Sequence, residues 1–421
     1  MTTVVLPAYT PSGPVPSYSK KPSTDESTIQ HTPRTHERPS GTFVKASGGD
    51  TVLLAEQDPA AEVPCYGRQG LVTGFVSVAD RDLVSEVVLK VKGKMEYMIS
   101  EGGSLSHKLI DSTCSLWSSH SPSPSTSTCP GAIPFSFPLP SKFQDENLVA
   151  HPLPPSYEVP FSEMPGMFLR TTYWLTITVT RTRSKSRKLQ FLTKTNTITI
   201  PFDYSPRSRP WRSMQPSFEL LNDVKTMPEE FRQVSWEVQP RPKATARPLE
   251  LHLFLPTVEI FGLDDVVPFH VQLGGPVDEL RHFLPPPPGT TRPDQEQKKQ
   301  RLTVSLVRQV VIEVHGRKAA RTVFIASASL HTHPPSFSSS NESLPTLDLS
   351  GTLKPRRSVA PTGTFDVGCV RVQDFIVIEL WPADTELMRK YTTMRFSHPV
   401  KFVTDSYVEG SSAGGIGREA A

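Results

Sequence analysis

Apolar and polar residues alternate along many short segments of the chain, which is the pattern of half-buried β-strands. The segment SEVVLKVKGKMEY places three apolar residues on one face and three lysines on the other, namely Val87, Leu89 and Val91 against Lys90, Lys92 and Lys94. The segment TTYWLTITVT repeats the alternation with large apolar residues opposite threonines. Both segments are therefore predicted to be strands with one buried face.

The second half of the chain shows the same pattern in LELHLFLP, VVPFHVQL, LTVSLVRQVVIEV, RTVFIASASL and CVRVQDFIVIEL. The connections between these segments are rich in Pro, Ser and Gly, and no helical periodicity separates them. Many short strands without intervening helices favour antiparallel sheets packed face to face. The predicted fold class is all-β, with two antiparallel β-sandwich domains in tandem.

Composition sets the predicted domain boundaries. Residues 1–45 contain few clustered aliphatic residues, so we expect a disordered Pro/Ser-rich tail. Residues 50–205 form the first predicted sandwich and 247–406 the second. Residues 206–246 are charged, with proline at both ends, and are predicted to be a linker. Residues 407–421 are predicted to be a flexible tail.

The balance of charge and the cysteines exclude several function classes. A net charge of +3 on 421 residues gives no indication of a nucleic-acid partner. The four cysteines form no CxxC pair, and the two histidines of HTH, His331 and His333, lack further ligands, so no metal site is predicted. Without a secretory signal or a run of about 20 apolar residues, the chain is predicted to be cytoplasmic.

The sequence contains none of the common catalytic signatures. A GxSxG turn, a GxxxxGK[ST] phosphate loop, an HExxH helix and the kinase set are all missing from it. We therefore expect no enzymatic activity and no cofactor, unless catalytic residues are scattered along the chain. The function that remains to be considered is the binding of a partner.

The stretch HPLPPSYEVP contains a Pro-Pro-x-Tyr tetrapeptide made by Pro154, Pro155 and Tyr157. Such a segment adopts a polyproline helix that can dock on the aromatic groove of a WW domain. Because it lies between two predicted strands, a structural loop with Tyr157 packed on the sandwich is the alternative. The N-terminal region holds two looser versions, LPAY with Pro7 and Tyr9, and VPSY with Pro16 and Tyr18.

A run of basic residues, RTRSKSRK, is predicted to form the tip of a hairpin between two strands. Clustered basic side chains attract phosphorylated tails or anionic lipids, and the alternative is a solvated turn that protects a sheet edge. The candidate anion-binding residues are Arg181, Arg183, Lys185, Arg187 and Lys188.

Two charged residues fall on predicted apolar faces in the second half. Arg308 shares a register with Leu306 and Val310, and Asp374 shares one with Val372 and Ile376. A buried charge requires a partner, so a pairing of Arg308 with Asp374 is one prediction. A bulge that turns either residue outward is the other.

Several segments together resemble the arrestin superfamily, and in particular fungal arrestin-like proteins of the α-arrestin kind. The resemblance covers most of residues 62–205 and 249–405. It is carried by GLVTGFVSV, VVLKVKGKMEY, LIDSTCSLW, IPFSFPLPSKF, TYWLTITVTR, NTITIPFDYSPRSRP, VVPFHVQL, VSLVRQVVIEV, GTFDVGCVRVQDFIVIEL and HPVKFVTDSYV. It implies two immunoglobulin-like sandwiches joined by a short hinge.

The resemblance also implies a function. Proteins of this kind are adaptors that bind the cytosolic part of a plasma-membrane transporter or receptor and recruit a HECT-type ubiquitin ligase through its WW domains. The cargo is then ubiquitinated and internalised, which implies recruitment to the plasma membrane or endosomes. The alternative is a ligase-independent scaffold or sorting protein of the same fold, which binds cargo or coat proteins through its sheet edges and basic tip.

Overall fold

The structure is a computed structural model, and it describes residues 39–119, 128–159, 166–182, 193–214, 224, 226–284, 301–333, 345–356, 361–382 and 385–407. These residues form two β-sandwiches built almost entirely from antiparallel strands. The all-β, two-sandwich class predicted from the alternating pattern is confirmed.

Among the described residues, twelve strands belong to the first sandwich and a hairpin beside it. In chain order they are β1 (Gly41–Ser47), β2 (Asp50–Gln57), β3 (Cys65–Tyr66), β4 (Leu71–Ser77), β5 (Val84–Ile99), β6 (Gly103–Ser118), β7 (Ala132–Pro138), β8 (Lys142–Gln144), β9 (Ala150–Pro152), β10 (Tyr157–Val159), β11 (Met167–Thr182) and β12 (Thr193–Tyr204). One sheet has the order β1-β2-β4-β7, and the facing sheet has the order β3-β12-β11-β5-β6 with β10 beside β11. β8 and β9 form a separate hairpin.

In the part of the chain that the structure describes, the second sandwich contains eleven strands and two short α-helices. The strands are β13 (Phe231–Val238), β14 (Leu249–Pro256), β15 (Ile260–Gly262), β16 (Val267–Gly274), β17 (Leu302–Val314), β18 (Arg317–Ser327), β19 (Ser329–Thr332), β20 (Thr346–Leu353), β21 (Phe365–Asp366), β22 (Val370–Leu380) and β23 (Met394–Val403). The helices are α1 (Val277–Leu280) and α2 (Thr385–Lys390), and single 3-10 turns occur at Arg81–Leu83, Pro228–Glu230 and Arg281–Phe283.

The two sandwiches repeat one topology. The sheets of the second have the orders β13-β14-β16-β20-β19 and β15-β23-β22-β17-β18, with β21 beside β22. In each sandwich a short third strand pairs in parallel with the last strand, as β3 does with β12 and β15 with β23. The halves are therefore two copies of one architecture.

The predicted alternation produces the cores. Along β5 the residues Val87, Leu89 and Val91 are buried, and β11 and β14 bury their predicted apolar faces in the same way. The helix α1 contributes two residues to the buried interior, Glu279 and Leu280, and α2 contributes Leu387. The alternation of apolar and polar residues in the strands thus accounts for nearly all of the core residues.

Two predicted boundaries differ from the structure. Residues 41–45, which we assigned to the N-terminal tail, belong to β1, because Phe43 packs on the core of the first sandwich. Residues 231–238, which we assigned to the linker, form β13 and pair with β14 along their whole length. Val238 is buried in the second core, so the connection between the sandwiches is shorter than predicted.

The two sandwiches are joined by an apolar contact that one end of β17 and one end of β22 make with the first sandwich. Residues 302–306 of β17 and 376–380 of β22 belong to the core of the second sandwich. Residues 310–314 of β17 and 370–372 of β22 pack instead with the core of the first. Each of these strands therefore contributes residues to both cores. Arg38–Tyr407 forms one compact unit.

A buried ion pair marks the boundary between the two groups of core residues. Arg308 and Asp374 are direct partners across β17 and β22 and are 1% and 0% exposed. Arg308 Nε donates to Asp374 Oδ1 at 2.8 Å, and Arg308 Nη2 donates to Oδ2 at 2.9 Å. The predicted pair is thus present and bidentate. A bulge occurs between Leu306 and Val307, but only in the pairing with β18.

The ion pair keeps the guanidinium charged. Burial acts to lower the pKa of Arg308, but hydrogen bonds and charge attraction from Asp374 raise it above the ordinary value for arginine, and the Tyr157 hydroxyl acts in the same direction. Each charge therefore depends on its partner in an environment with almost no water.

Breaking this pair should strongly destabilise the protein. We expect Arg308→Met or Asp374→Leu alone to cost about 3–5 kcal/mol, because each leaves an uncompensated buried charge. The double variant should recover most of that loss, since it leaves no buried charge. Urea unfolding of the three variants, analysed as a double-mutant cycle, measures the coupling.

The half-exposed pair of Arg371 with Asp366 is the matched control, and Arg371→Met should cost less than about 1 kcal/mol. Losses from Arg308→Met and Asp374→Leu that simply add in the double variant would contradict the proposed coupling.

Candidate functional site

The Pro-Pro-x-Tyr segment is buried between β9 and β10. Pro154 and Pro155 are buried, and Tyr157 is 8% exposed. A WW domain packs its aromatic groove against the proline rings and the tyrosine, so all three must be open to solvent. The structure therefore contradicts the docking interpretation of Pro154, Pro155 and Tyr157 in the folded chain and supports the structural loop.

Hydrogen bonds fix this segment to the first sandwich. The Tyr173 hydroxyl donates to the Pro154 carbonyl oxygen at 2.6 Å, and the Ser156 N–H donates to the Tyr204 carbonyl oxygen at 2.8 Å. The Tyr204 N–H in turn donates to Ser156 Oγ at 2.9 Å. Gly93 gives the Tyr173 ring room, because a Cβ at this position would lie 2.6 Å from a ring carbon.

Tyr157 also connects the segment to the second sandwich. Its ring meets Phe365 edge to face, with centroids 5.6 Å apart. Its hydroxyl contributes to the raised pKa of Arg308. The segment is consequently part of the junction between the sandwiches.

Several predicted binding residues lie outside the described residues and stay predictions. They are the N-terminal WW-binding candidates Pro7, Tyr9, Pro16 and Tyr18 and the anion-binding candidates Arg183, Lys185, Arg187 and Lys188. The antiparallel pairing of β11 with β12 is consistent with the predicted hairpin.

Arg181 is not part of an exposed basic tip. Its side chain points inward at the end of β11 and forms a bidentate ion pair with the fully buried Asp50. Arg181 Nη2 also donates to the Ala79 carbonyl oxygen at 3.0 Å, and Asn196 Nδ2 donates to Asp50 Oδ2 at 2.7 Å. Arg181 therefore links the two sheets of the first sandwich, which contradicts its predicted role in anion binding.

The hydrogen bonds around Asp50 keep it ionised. Burial acts to raise the pKa of Asp50, but hydrogen bonds from Arg181, Asn196 and the Ala79 N–H lower it below the ordinary value. The carboxylate thus joins β2 to β11 and β12.

The outer face of the sheet β1-β2-β4-β7 carries no charged side chain in its paired rows. Its large apolar residues Val44, Leu71 and Phe75 are 56%, 52% and 49% exposed. We call this surface the neutral face. A row is a set of residues that lie side by side across the paired strands. The four rows of this face are Val44, Leu53, Phe75 and Pro134; Ala46, Thr51, Ser77 and Ala132; Thr73 and Ser136; and Leu71 and Pro138.

The facing sheet of the same sandwich has a charged outer surface. Lys90, Lys92 and Lys94 of β5 line it, and Glu96 pairs there with Arg170 of β11. A contiguous exposed apolar patch typically marks a binding site, whereas a charged sheet surface is ordinarily solvated. The neutral face is therefore the main candidate for contact with a partner.

Sequence reasoning missed the neutral face, although one signal was present. In LVTGFVS, apolar residues occupy both registers, with Val72 and Val76 buried and Leu71 and Phe75 exposed. The strand pairing that aligns these residues with Leu53 and Pro134 is set by contacts distant in sequence.

The histidines of HTH lie beside the outer face of β20. His331 is exposed, and His333 Nε2 lies 2.7 Å from Ser350 Oγ. Within the described part of the chain, no group of three or more His, Cys, Asp or Glu side chains is placed to hold a metal ion. No helix there has both the length and the apolar character needed to cross a bilayer.

No model of a known protein family matches this chain, and no curated protein matches it.

The Asp50 cluster should make stability depend on pH. A lowered carboxyl pKa contributes stability above the unfolded pKa of about 3.9, and this contribution is lost as the pH falls through the lower folded pKa. We expect Asp50→Asn to cost about 2–4 kcal/mol at pH 7, because Arg181 loses its counter-ion. The difference from wild type should narrow as the pH falls below about 4.

Denaturant unfolding between pH 7 and pH 2.5 measures this difference. The half-exposed Asp111 provides the control, and Asp111→Asn should change stability little at any pH. A cost of Asp50→Asn that stays constant down to pH 2.5 would show that the carboxylate charge is not what stabilises the cluster.

Proposed function

We propose that the chain is an adaptor of the arrestin type, which binds the cytosolic segment of a membrane cargo protein on the neutral face. The observation that carries this proposal is the uncharged, partly apolar outer surface of β1-β2-β4-β7 on a body made of two fused sandwiches. The arrestin resemblance of the sequence supports it. Recruitment to the plasma membrane or endosomes would follow from binding the cargo.

The size of the neutral face favours a short partner segment. Four strands about 4.8 Å apart and about six residues long cover roughly 400 Å². A stable contact between two globular proteins buries about 800 Å² on each partner, which is about twice this area. An uncharged peptide or one face of a helix fits, and a charged segment would lose hydration without gaining an ion pair.

The structure favours the ligase-independent form of this function. The buried Pro154, Pro155 and Tyr157 are held by hydrogen bonds and by the second sandwich, so they are unsuited to recruiting a ligase. Recruitment of a WW-domain ubiquitin ligase then rests on the N-terminal LPAY and VPSY segments. We propose a scaffold or sorting protein as the function of the two sandwiches themselves.

Peptide binding tests the role of the neutral face. Calorimetry would compare the full chain with a panel of synthetic 15-residue peptides that share one apolar core and carry zero, two or four charges. We expect the uncharged peptides to bind in the micromolar range and the charged ones to bind more weakly. Phe75→Glu should weaken binding by about tenfold or more, because it places a charge at the centre of the contact.

Thr176→Glu, on the outer surface of the facing sheet, is the matched control and should leave binding unchanged. The proposal fails if no peptide binds, or if the Phe75→Glu and Thr176→Glu variants bind the peptides as well as wild type does.

A second experiment tests the link to a ligase. Isolated WW domains would be titrated into the full chain, into a chain without residues 1–38 and into the Tyr157→Phe variant. We expect any binding to vanish with the deletion and to survive Tyr157→Phe. Binding that persists without residues 1–38 and is lost in Tyr157→Phe would restore the buried segment as the docking site.

A further inference from the structure

Three polar side chains form a hydrogen-bonded chain on the outer face of the five-stranded sheet of the second sandwich. Ser350 Oγ lies 2.9 Å from His270 Nδ1, and His270 Nε2 lies 2.9 Å from Asp348 Oδ1. Ser350 and His270 are direct cross-strand partners on β20 and β16, and Asp348 precedes Ser350 by two residues on the same face. Backbone pairing therefore fixes the geometry of the chain.

Asp348 is held as a carboxylate. It is 2% exposed, Gln272 Nε2 donates to Oδ1 at 2.9 Å, and the Thr346 hydroxyl donates to Oδ2 at 2.8 Å. Burial acts to raise the pKa of Asp348, but hydrogen bonds from His270, Gln272 and Thr346 lower it. An ionised Asp348 can only accept, so His270 Nε2 carries a proton and donates it.

The direction of the remaining hydrogen bonds follows from this one. In the neutral imidazole, protonation at Nε2 leaves Nδ1 as an acceptor, so the single hydroxyl proton of Ser350 points to His270. His333 Nε2, which lies 2.7 Å from Ser350 Oγ, then donates to that oxygen. Ser350 thus has a base on one side and an N–H donor on the other.

We propose that Ser350 is the nucleophile of an ester-hydrolysing site in which His270 is the general base and Asp348 is a positioning residue. A nucleophile bonded to a base that is itself oriented by a carboxylate is the arrangement of serine hydrolases, which is recognised by geometry and not by order in the sequence. Ser350 is half-buried, while His270 is fully buried. The serine is therefore partly open to solvent, and its base is shielded from water.

The reaction consumes one ester and one water. Ser350 Oγ attacks the carbonyl carbon while its proton moves to His270 Nδ1. The negative charge moves to the carbonyl oxygen, which takes over the hydrogen bond that the His333 N–H makes to Oγ in the free protein. Collapse of the intermediate breaks the ester bond, and His270 returns the proton to the leaving alcohol. Water then attacks the acyl carbon and gives a proton to His270. The bond between Ser350 Oγ and the acyl group breaks, His270 returns the proton to Oγ, and the carboxylic acid leaves.

The setting favours small carboxylic esters. His270 lies between Ser350 and Phe254 in the sheet, and its ring centroid is 5.8 Å from that of Phe254. Because Ser350 is only partly exposed, a small ester is the substrate that we expect to reach it.

The same five-stranded sheet contains a second serine beside a histidine, which serves as a control for Ser350. Ser235 Oγ lies 2.8 Å from His252 Nδ1, but His252 Nε2 is 3.6 Å from Glu250, whose side chain is 60% exposed. This distance is too long for a hydrogen bond, so Glu250 does not fix the tautomer of His252 as Asp348 fixes that of His270. Ser235 should therefore be unreactive where Ser350 reacts.

Labelling of the full chain with a biotinylated fluorophosphonate tests the proposal. We expect mass spectrometry of the digested protein to find the label on Ser350 and not on Ser235. The protein should also hydrolyse p-nitrophenyl acetate, and Ser350→Ala should abolish both reactions while Ser235→Ala leaves them unchanged. An absence of label on Ser350 in folded wild-type protein overturns the proposal, as does undiminished hydrolysis by Ser350→Ala.

The role of Asp348 has a separate readout. Asp348→Asn should slow labelling by about tenfold or more, because the imidazole loses the partner that sets its tautomer. The pH at which labelling reaches half its maximum should also fall, since the protonated imidazole is no longer stabilised by a carboxylate. A slower rate with an unchanged pH profile would reduce Asp348 to a purely structural role and contradict its assignment.

Discussion

The buried ion pair of Arg308 with Asp374 is the interaction on which the rest of this structure depends. It lies where β17 and β22 pass from the core of the second sandwich to the apolar contact with the first. Two apolar residues here would pack almost anywhere along the strands, but a bidentate pair has a single satisfied register. The pair therefore fixes the alignment of the two strands that both cores share.

This alignment explains why the Pro-Pro-x-Tyr segment is structural. Tyr157 reaches across the junction to Phe365 and Arg308, while Pro154 and Ser156 are tied to strands of the first sandwich. Exposing the segment would require the sandwiches to part and several buried hydrogen bonds to break, each at a cost of about 1–3 kcal/mol. A short motif match gives no information about these contacts.

The sequence predicted the two-sandwich class and the buried strand faces, because both follow from a period of two within single strands. The same period placed Arg308 and Asp374 on buried faces but left their pairing and an outward-turning bulge as alternatives. The sequence did not predict that Arg181 turns inward, although Arg181 continues the buried register of Ile177 and Val179. The dense run of basic residues suggested an exposed tip instead. The neutral face and the Ser350 cluster could not be predicted, because strand pairing assembles them from segments far apart in the chain.

The candidate sites lie on surfaces that the cores leave open. The neutral face is the outer surface of one sheet of the first sandwich. The Ser350 cluster lies on the outer surface of one sheet of the second. A partner or substrate that binds to such surfaces meets a pre-organised scaffold, which reduces the entropy cost of binding.

Hydrogen–deuterium exchange of residues 153–159, with β17 as an internal reference, measures whether the Pro-Pro-x-Tyr segment belongs to the junction. If the segment is part of the junction, its amides should exchange as slowly as those of residues 310–314, through global unfolding. Arg308→Met should speed up exchange in both segments together. If residues 153–159 exchange at the rate of an exposed loop while β17 stays protected, the segment is not part of the junction between the sandwiches.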